Sequence, residues 1–226
     1  VNLRKLTGLL SLFLLLLSSY MIFWYAPLEK VMREVQKIFY VHVGTAWNAF
    51  LAFAVVFAAS VVYLKTRDRR WDAVAESSAE LGVLFTTLVL ITGPIWGHSA
   101  WGTWWTWEPR LTTTLILWFV YLAYLLIRQA VQEEERRLSL AAIFGIVGFV
   151  NVPIVYFSIY WWASKLHPVV VGSGGGGLET RMLQTLIVTV FAFTALYAYL
   201  LQLGTTIAGT KSRLETIKQA LRQNLE

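Results

Sequence analysis

The sequence predicts an all-α, polytopic membrane protein with six transmembrane helices, on three observations. Hydrophobic residues make up 57% of the 226 positions and charged residues only 14%, with a mean hydropathy of +0.59, which is too apolar for a water-soluble domain of this size. Six apolar runs are long enough to cross a hydrocarbon core about 30 Å thick, which takes roughly 20 helical residues. The runs lack the strict alternation of barrel strands, and backbone groups in lipid must be satisfied within the chain, so they read as helices.

The first run, Leu6 to Trp24, follows Arg4 and Lys5. Its core is long for a secretory signal and no small-x-small cleavage pattern follows, so it is expected to be a retained first span. Next comes "PLEKVMREVQKIFYVH", residues 27–42. Pro27 suits a helix start, Leu28, Val31, Met32, Val35, Ile38 and Phe39 recur at three-and-four spacing, and Glu29 precedes Arg33 by four residues, a favourable helical pair. This predicts an amphipathic surface helix running into span two, with His42 near its apolar stripe.

Spans two to four are expected at Val43 to Leu64, Ala79 to Ile95 and Leu111 to Ile127. Span five, Leu138 to Ile159, contains Asn151 and Pro153 near one end. A proline frees the carbonyl four residues earlier, so a kink is expected there. The segment before span six contains "GSGGGG", residues 172–177, a glycine-rich stretch read as a spacer or, alternatively, a docking loop. After span six, Met182 to Leu203, the tail 205–226 places Leu214, Ile217, Leu221 and Leu225 on one helical face, either as an interfacial helix or as a docking site for a partner. Residues 1–226 form a single domain on this reading.

Thirteen of the nineteen Lys and Arg residues fall on one side of these spans, including Arg67, Arg69, Arg70, Arg128, Arg136 and Arg137. The positive-inside rule then puts both termini in the cytoplasm. The net charge of +6 reflects that topology and needs no nucleic-acid partner. With no cysteine, the chain does no thiol chemistry and cannot attach a haem covalently through C-x-x-C-H. No charge lies in the middle of any predicted span, which argues against a coupled ion transporter.

All three histidines, His42, His98 and His167, lie on the external side in this topology, and "WGHSAWGTWWTWEPR", residues 96–110, holds five of the eleven tryptophans. An interfacial aromatic belt accounts for Trp24, Trp47, Trp118, Trp161 and Trp162, but a belt spreads its indoles over several helices. Crowding in one short segment, with Trp101, Trp104 and Trp105 at helical spacing, reads as a flat apolar platform. Glu108 and Pro109 read as the start of the next helix. A platform beside histidines suits a planar, apolar ligand that carries a metal, and haem fits that description. About 300 Å² of buried apolar surface at roughly 25 cal/mol per Å² gives ~7 kcal/mol before association costs, enough to hold haem and still release it. Arg110 either pairs with a haem propionate or snorkels to the membrane surface.

"WGTWWTWEPRLTT" resembles the tryptophan-rich (WWD) signature of the cytochrome c maturation protein C family of haem-handling proteins. "VQKIFYVHVGTAWNAF" and "NVPIVYFSIYWWASKLHP" resemble other segments of that family in the same order. The resemblance covers most of the chain. It implies His42 and His167 as axial ligands of a transient, non-covalent haem b, and a platform from Trp101, Trp104, Trp105, Trp107 and Glu108, the last standing where the family usually has Asp. It further implies delivery of haem to a membrane-anchored haem chaperone during cytochrome c maturation, with ABC transporter subunits and a small single-span protein as partners in the bacterial inner membrane. The implied role is binding and delivery without catalysis, so the chain is expected not to be an enzyme. The alternatives are a haem permease and a membrane electron-transfer cytochrome. His98 is not carried by the family pattern and stands as either a third ligand candidate or an exposed loop residue.

Overall fold

The structure, a computed structural model, describes residues 3–162 and 178–223, with side chains to residue 210 and at Leu214 and Ile217. His167 and the glycine-rich stretch lie outside the described residues. The described chain is helical: α1 (Leu3–Tyr20) runs into a wider turn over Met21–Tyr25, and is followed by α2 (Gln36–Thr66), α3 (Arg69–Trp101), α4 (Pro109–Ala130), α5 (Glu134–Phe149), α6 (Asn151–Trp161) and α7 (Thr180–Gln223). Six helical segments are long and apolar enough to cross a membrane, with α5 and α6 together making one of them, Glu134–Trp161.

Helix α2 is the hub, packing against α3, α5 and α7, while α1 leans on α7. Its contact face alternates small and large side chains, with Ala49, Ala52, Phe53, Val56 and Ala59 all buried. Small residues let helix backbones approach closely where lipid gives no hydrophobic drive between helices. The ring of Phe53 stacks on Tyr121 of α4 at 3.7 Å between centroids. Polar side chains tie the remaining contacts: Ser18 to Thr189 at 2.8 Å between α1 and α7, and the Trp118 indole N–H to Thr87 Oγ1 at 2.8 Å between α4 and α3.

Tight punctuation at the ends explains why the helices stop where they do. α2 ends at Arg67, in the left-handed region at φ 57°, and Asp68 then caps α3 by accepting from the Arg70 amide at 2.9 Å. The α5–α6 break falls at Val150, whose amide turns back to Val147 at 3.2 Å. It lies directly after Phe149, the residue whose carbonyl Pro153 leaves without a helical donor, so the expected disturbance of the helical ladder is present. Asn151 secures it by donating to the Thr113 carbonyl of α4 at 3.0 Å.

The structure corrects the segment ahead of span two. Helix begins only at Gln36, and residues 27–35 form a tight turn closed by a bridge between Glu29 and Arg33, with Arg33 at φ 47°. The cause is local: the Glu29 carboxylate accepts from the amides of Val31, at 2.7 Å, and Met32. A side chain that captures nearby amides competes with the helical ladder. The pattern of apolar residues was real, but Glu29 spends its charge on the backbone and not on Arg33. Beyond span six, α7 continues without a break to Gln223 over 44 residues, about 66 Å at 1.5 Å per residue, so the tail extends the last span as one helix.

Candidate functional site

A cavity of about 370 Å³ opens at the end of the bundle where α2 begins and α3 ends. Its walls come from α2 (Gln36, Phe39, His42, Ala46), α3 (Leu90, Gly93, Trp96, Trp101), the following loop (Trp104, Trp105) and α4 (Arg110, Leu111, Thr114). It continues inward past His42 to Ala49, Thr86, Leu117 and Val155, about two helical turns deeper at 5.4 Å per turn. The lining is mostly apolar, with a small number of polar groups to orient a ligand, the ordinary makeup of a binding site.

His42 sits one and a half turns into α2 and is half-buried, facing α3 within the bundle. Its Nδ1 lies 2.9 Å from Thr92 Oγ1 on α3. The ring has room there because residue 93 is glycine: a Cβ at Gly93 would stand 3.2 Å from His42 Cε1. One turn further out, the Trp96 indole N–H points to Gln36 Oε1 at 3.5 Å, and Trp96 meets Trp101 edge to face at 5.4 Å.

The tryptophan segment is less helical at its far end, and more helical at its near end, than its spacing suggests. α3 continues through Trp101 and stops at Gly102, at φ 73°, whose amide returns to the His98 carbonyl. A left-handed cap of this kind favours glycine. Trp101 therefore stands on a helix, whereas Trp104, Trp105 and Trp107 follow on irregular chain and share no helical face with it. Thr103 Oγ1 holds the loop by donating to the Trp105 carbonyl at 3.1 Å. Trp101, Trp104 and Trp105 line the cavity; Trp107 and Glu108 do not. Trp107 is 75% exposed and packs edge-on against Trp105 at 5.7 Å.

His98 lies in the last turn of α3 and not in a loop, and it is exposed. Its ring stacks on Trp104 at 4.2 Å with 23° between planes, and it is absent from the cavity wall. Pro109 occupies the first turn of α4 after Glu108 as expected, although the Glu108 carboxylate does not bond the first-turn amides. Arg110 lines the cavity, and among the described residues it forms no ion pair. Thr92, Gly93 and Gln36 escaped the sequence reading, because a threonine, a glycine and a glutamine in apolar runs carry no periodic signal.

The arrangement offers one imidazole, a cation and several indole faces around an apolar space. Among the described residues no three His, Cys, Asp or Glu side chains come together. The family described as CcmC, heme exporter protein C, matches residues 2–219. Heme exporter protein C of Bradyrhizobium diazoefficiens is 38% identical over 176 residues, covering 77% of this chain and 67% of that protein. The Haemophilus influenzae protein of the same name is 35% identical over 204 residues, covering 87% and 81%. A ccmC-like mitochondrial protein of Marchantia polymorpha, named for cytochrome c biosynthesis, is 35% identical over 171 residues, covering 76% and 72%. By extent of match and by identity, the chain belongs to the CcmC (heme exporter protein C) family.

Proposed function

We propose that this chain binds haem b as a transient, non-covalent cargo at the histidine end of the bundle and hands it to a membrane-anchored haem chaperone in cytochrome c maturation. The observation that carries the reading is the cavity itself, which sets a half-buried His42 beside Trp96, Trp101, Trp104 and Trp105, with Arg110 at its wall. His42 and His167 are the two axial ligands on this reading. The indoles cover the porphyrin face and exclude water, and the Arg110 guanidinium receives a propionate. The cargo supplies the iron; the protein supplies the imidazoles that hold it and the surface that orients it.

Both termini then lie in the cytoplasm of a bacterial inner membrane, with the site on the external side, and ABC transporter subunits and a small single-span protein complete the assembly. The proposal involves no bond-making catalysis. Because the chain has no cysteine, single cysteines at the exposed Ser99 and Thr210 report sidedness directly. A membrane-impermeant maleimide should label the first from outside intact spheroplasts and the second only after lysis, and the reverse pattern would reject the orientation. Delivery is tested by mixing the hemin-loaded chain with the haem-free chaperone of the same system. Transfer of the Soret absorbance to the chaperone supports the reading, and retention of haem by the chain counts against it.

A second reading, a permease, draws on one feature, the inward extension of the cavity past His42 to Thr86 and Val155. Haem uptake into sealed vesicles containing this chain alone would favour it.

A further inference from the structure

We propose that Thr92 is a positioning residue that fixes the imidazole tautomer of His42, protonating Nδ1 and placing the ring's lone pair on Nε2, the atom that then ligates a metal-bearing cargo. The inference rests on the proposed role of His42 and extends it to a residue on the facing helix.

The assignment follows from counting protons. Thr92 Oγ1 lies 2.7 Å from the Leu88 carbonyl, four residues back in α3, and 2.9 Å from His42 Nδ1. A hydroxyl has one proton, and a carbonyl only accepts. The shorter contact therefore takes the Thr92 proton, as in the back-bonding of helical threonines. The oxygen's lone pairs face His42, so Nδ1 must be the donor. In neutral imidazole the other nitrogen then carries the lone pair.

Position as well as protonation is fixed. Gly93, the next residue of α3, leaves the space that His42 Cε1 occupies, where a Cβ would approach to 3.2 Å. The ring is thus held edge-on by Thr92 while its body lies against backbone. Partners that fix the tautomer and orientation of a ligating histidine typically change metal affinity by about 10- to 100-fold when removed.

The test uses the full chain in detergent with ¹⁵N-labelled histidine, assigning His42 by comparison with His42→Ala. In the wild type without haem, His42 should show a pyrrole-like Nδ1 and a pyridine-like Nε2. Thr92→Val, which keeps the shape and removes the hydroxyl, should move the ring toward the opposite tautomer and weaken hemin binding about 10-fold or more. Thr92→Ser should preserve both wild-type properties and guards against a folding artefact in the valine variant. A wild-type His42 protonated on Nε2, or a folded Thr92→Val protein with unchanged tautomer and hemin affinity, overturns the proposal. If the tautomer is as stated but His42→Ala binds hemin like the wild type, it is the haem-ligand reading of His42 that fails, and with it the functional half of this inference.

Discussion

Arg128, at the end of α4, grips Asp72, near the start of α3, through two hydrogen bonds of 2.7 and 2.6 Å. A third bond of 3.0 Å reaches Glu76, and the Arg128 guanidinium also lies over the Tyr124 ring at 5.7 Å. The side chains of Arg128 and Asp72 are 6% and 9% exposed, so the pair is buried at the end of the bundle opposite the cavity. α3 and α4 are the two helices that the tryptophan loop joins. They are clasped here, again at mid-height by Trp118 and Thr87, and at the far end by the loop itself.

Breaking that clasp on one side should be costly, because the remaining charge is left buried without its partner. Arg128→Ala is expected to destabilise the protein by about 3–5 kcal/mol. The double change Arg128→Met with Asp72→Leu should recover much of the loss, since an apolar pair of similar size avoids the desolvation cost. Thermal unfolding in detergent distinguishes the two; equal destabilisation by both would show that packing and not charge pairing sets the effect.

The space left by Gly93 sets how the His42 ring sits. Gly93→Ala should leave the helix at least as stable, since alanine favours helix over glycine by about 1 kcal/mol. Its new Cβ, 3.2 Å from His42 Cε1, should nevertheless displace the ring and shift the Soret maximum of the haem-bound protein. An unchanged spectrum in a folded Gly93→Ala protein would mean that His42 does not hold haem from this position.

The indoles should not contribute equally. Trp101 and Trp105 line the cavity, whereas Trp107 is exposed and lies outside its wall. A fully buried aromatic side chain contributes about 1.5–3 kcal/mol, so Trp101→Ala is expected to weaken hemin binding about 10-fold or more. Trp107→Ala should change it little. Hemin titrations of the two variants give the comparison directly, and equal losses would replace the cavity with a broader outer surface as the binding site.

Glu29 makes the turn before α2 sensitive to acid. Hydrogen bonds from the Met32 amide and then from Val31, together with the nearby Lys30 charge, outweigh desolvation and hold its carboxyl below the ordinary value. A depressed folded-state pKa stabilises the turn fully above the unfolded value, about 4.3 for glutamate, and that contribution is lost as pH falls through the lower folded value. Amide exchange at Val31 and Met32 should therefore stay slow near neutrality and accelerate, relative to the intrinsic rate, only at acid pH. Glu29→Gln should exchange faster at neutral pH, and wild-type protection persisting well below the carboxylate range would contradict the assignment.

The six spans were legible because twenty apolar residues in a row have few alternative meanings, and Pro153 announced the α5–α6 break. The first turn of α4 at Pro109 was likewise readable. Span ends were not. Asp72, Glu76 and Arg128 look like loop charges in a hydropathy profile, yet α3 starts at Arg69 and buries Asp72 against Arg128 from a helix distant in sequence. Residues 27–35 misled for a related reason: helical periodicity was present, but capture of two amides by Glu29 decided the local fold. At the site, the sequence pointed to His42 and the indoles by residue type. The structure added Gly93 and Gln36 in the cavity wall and Thr92 beside His42, which only the α2–α3 packing brings to His42 and Trp96.

The most direct test of haem ligation is the absorption spectrum and haem content of the purified full chain carrying His42→Ala and His167→Ala together. The account predicts loss of the bis-histidine Soret band and of most bound haem, with each single variant intermediate. An unchanged Soret spectrum with haem content equal to wild type would contradict it.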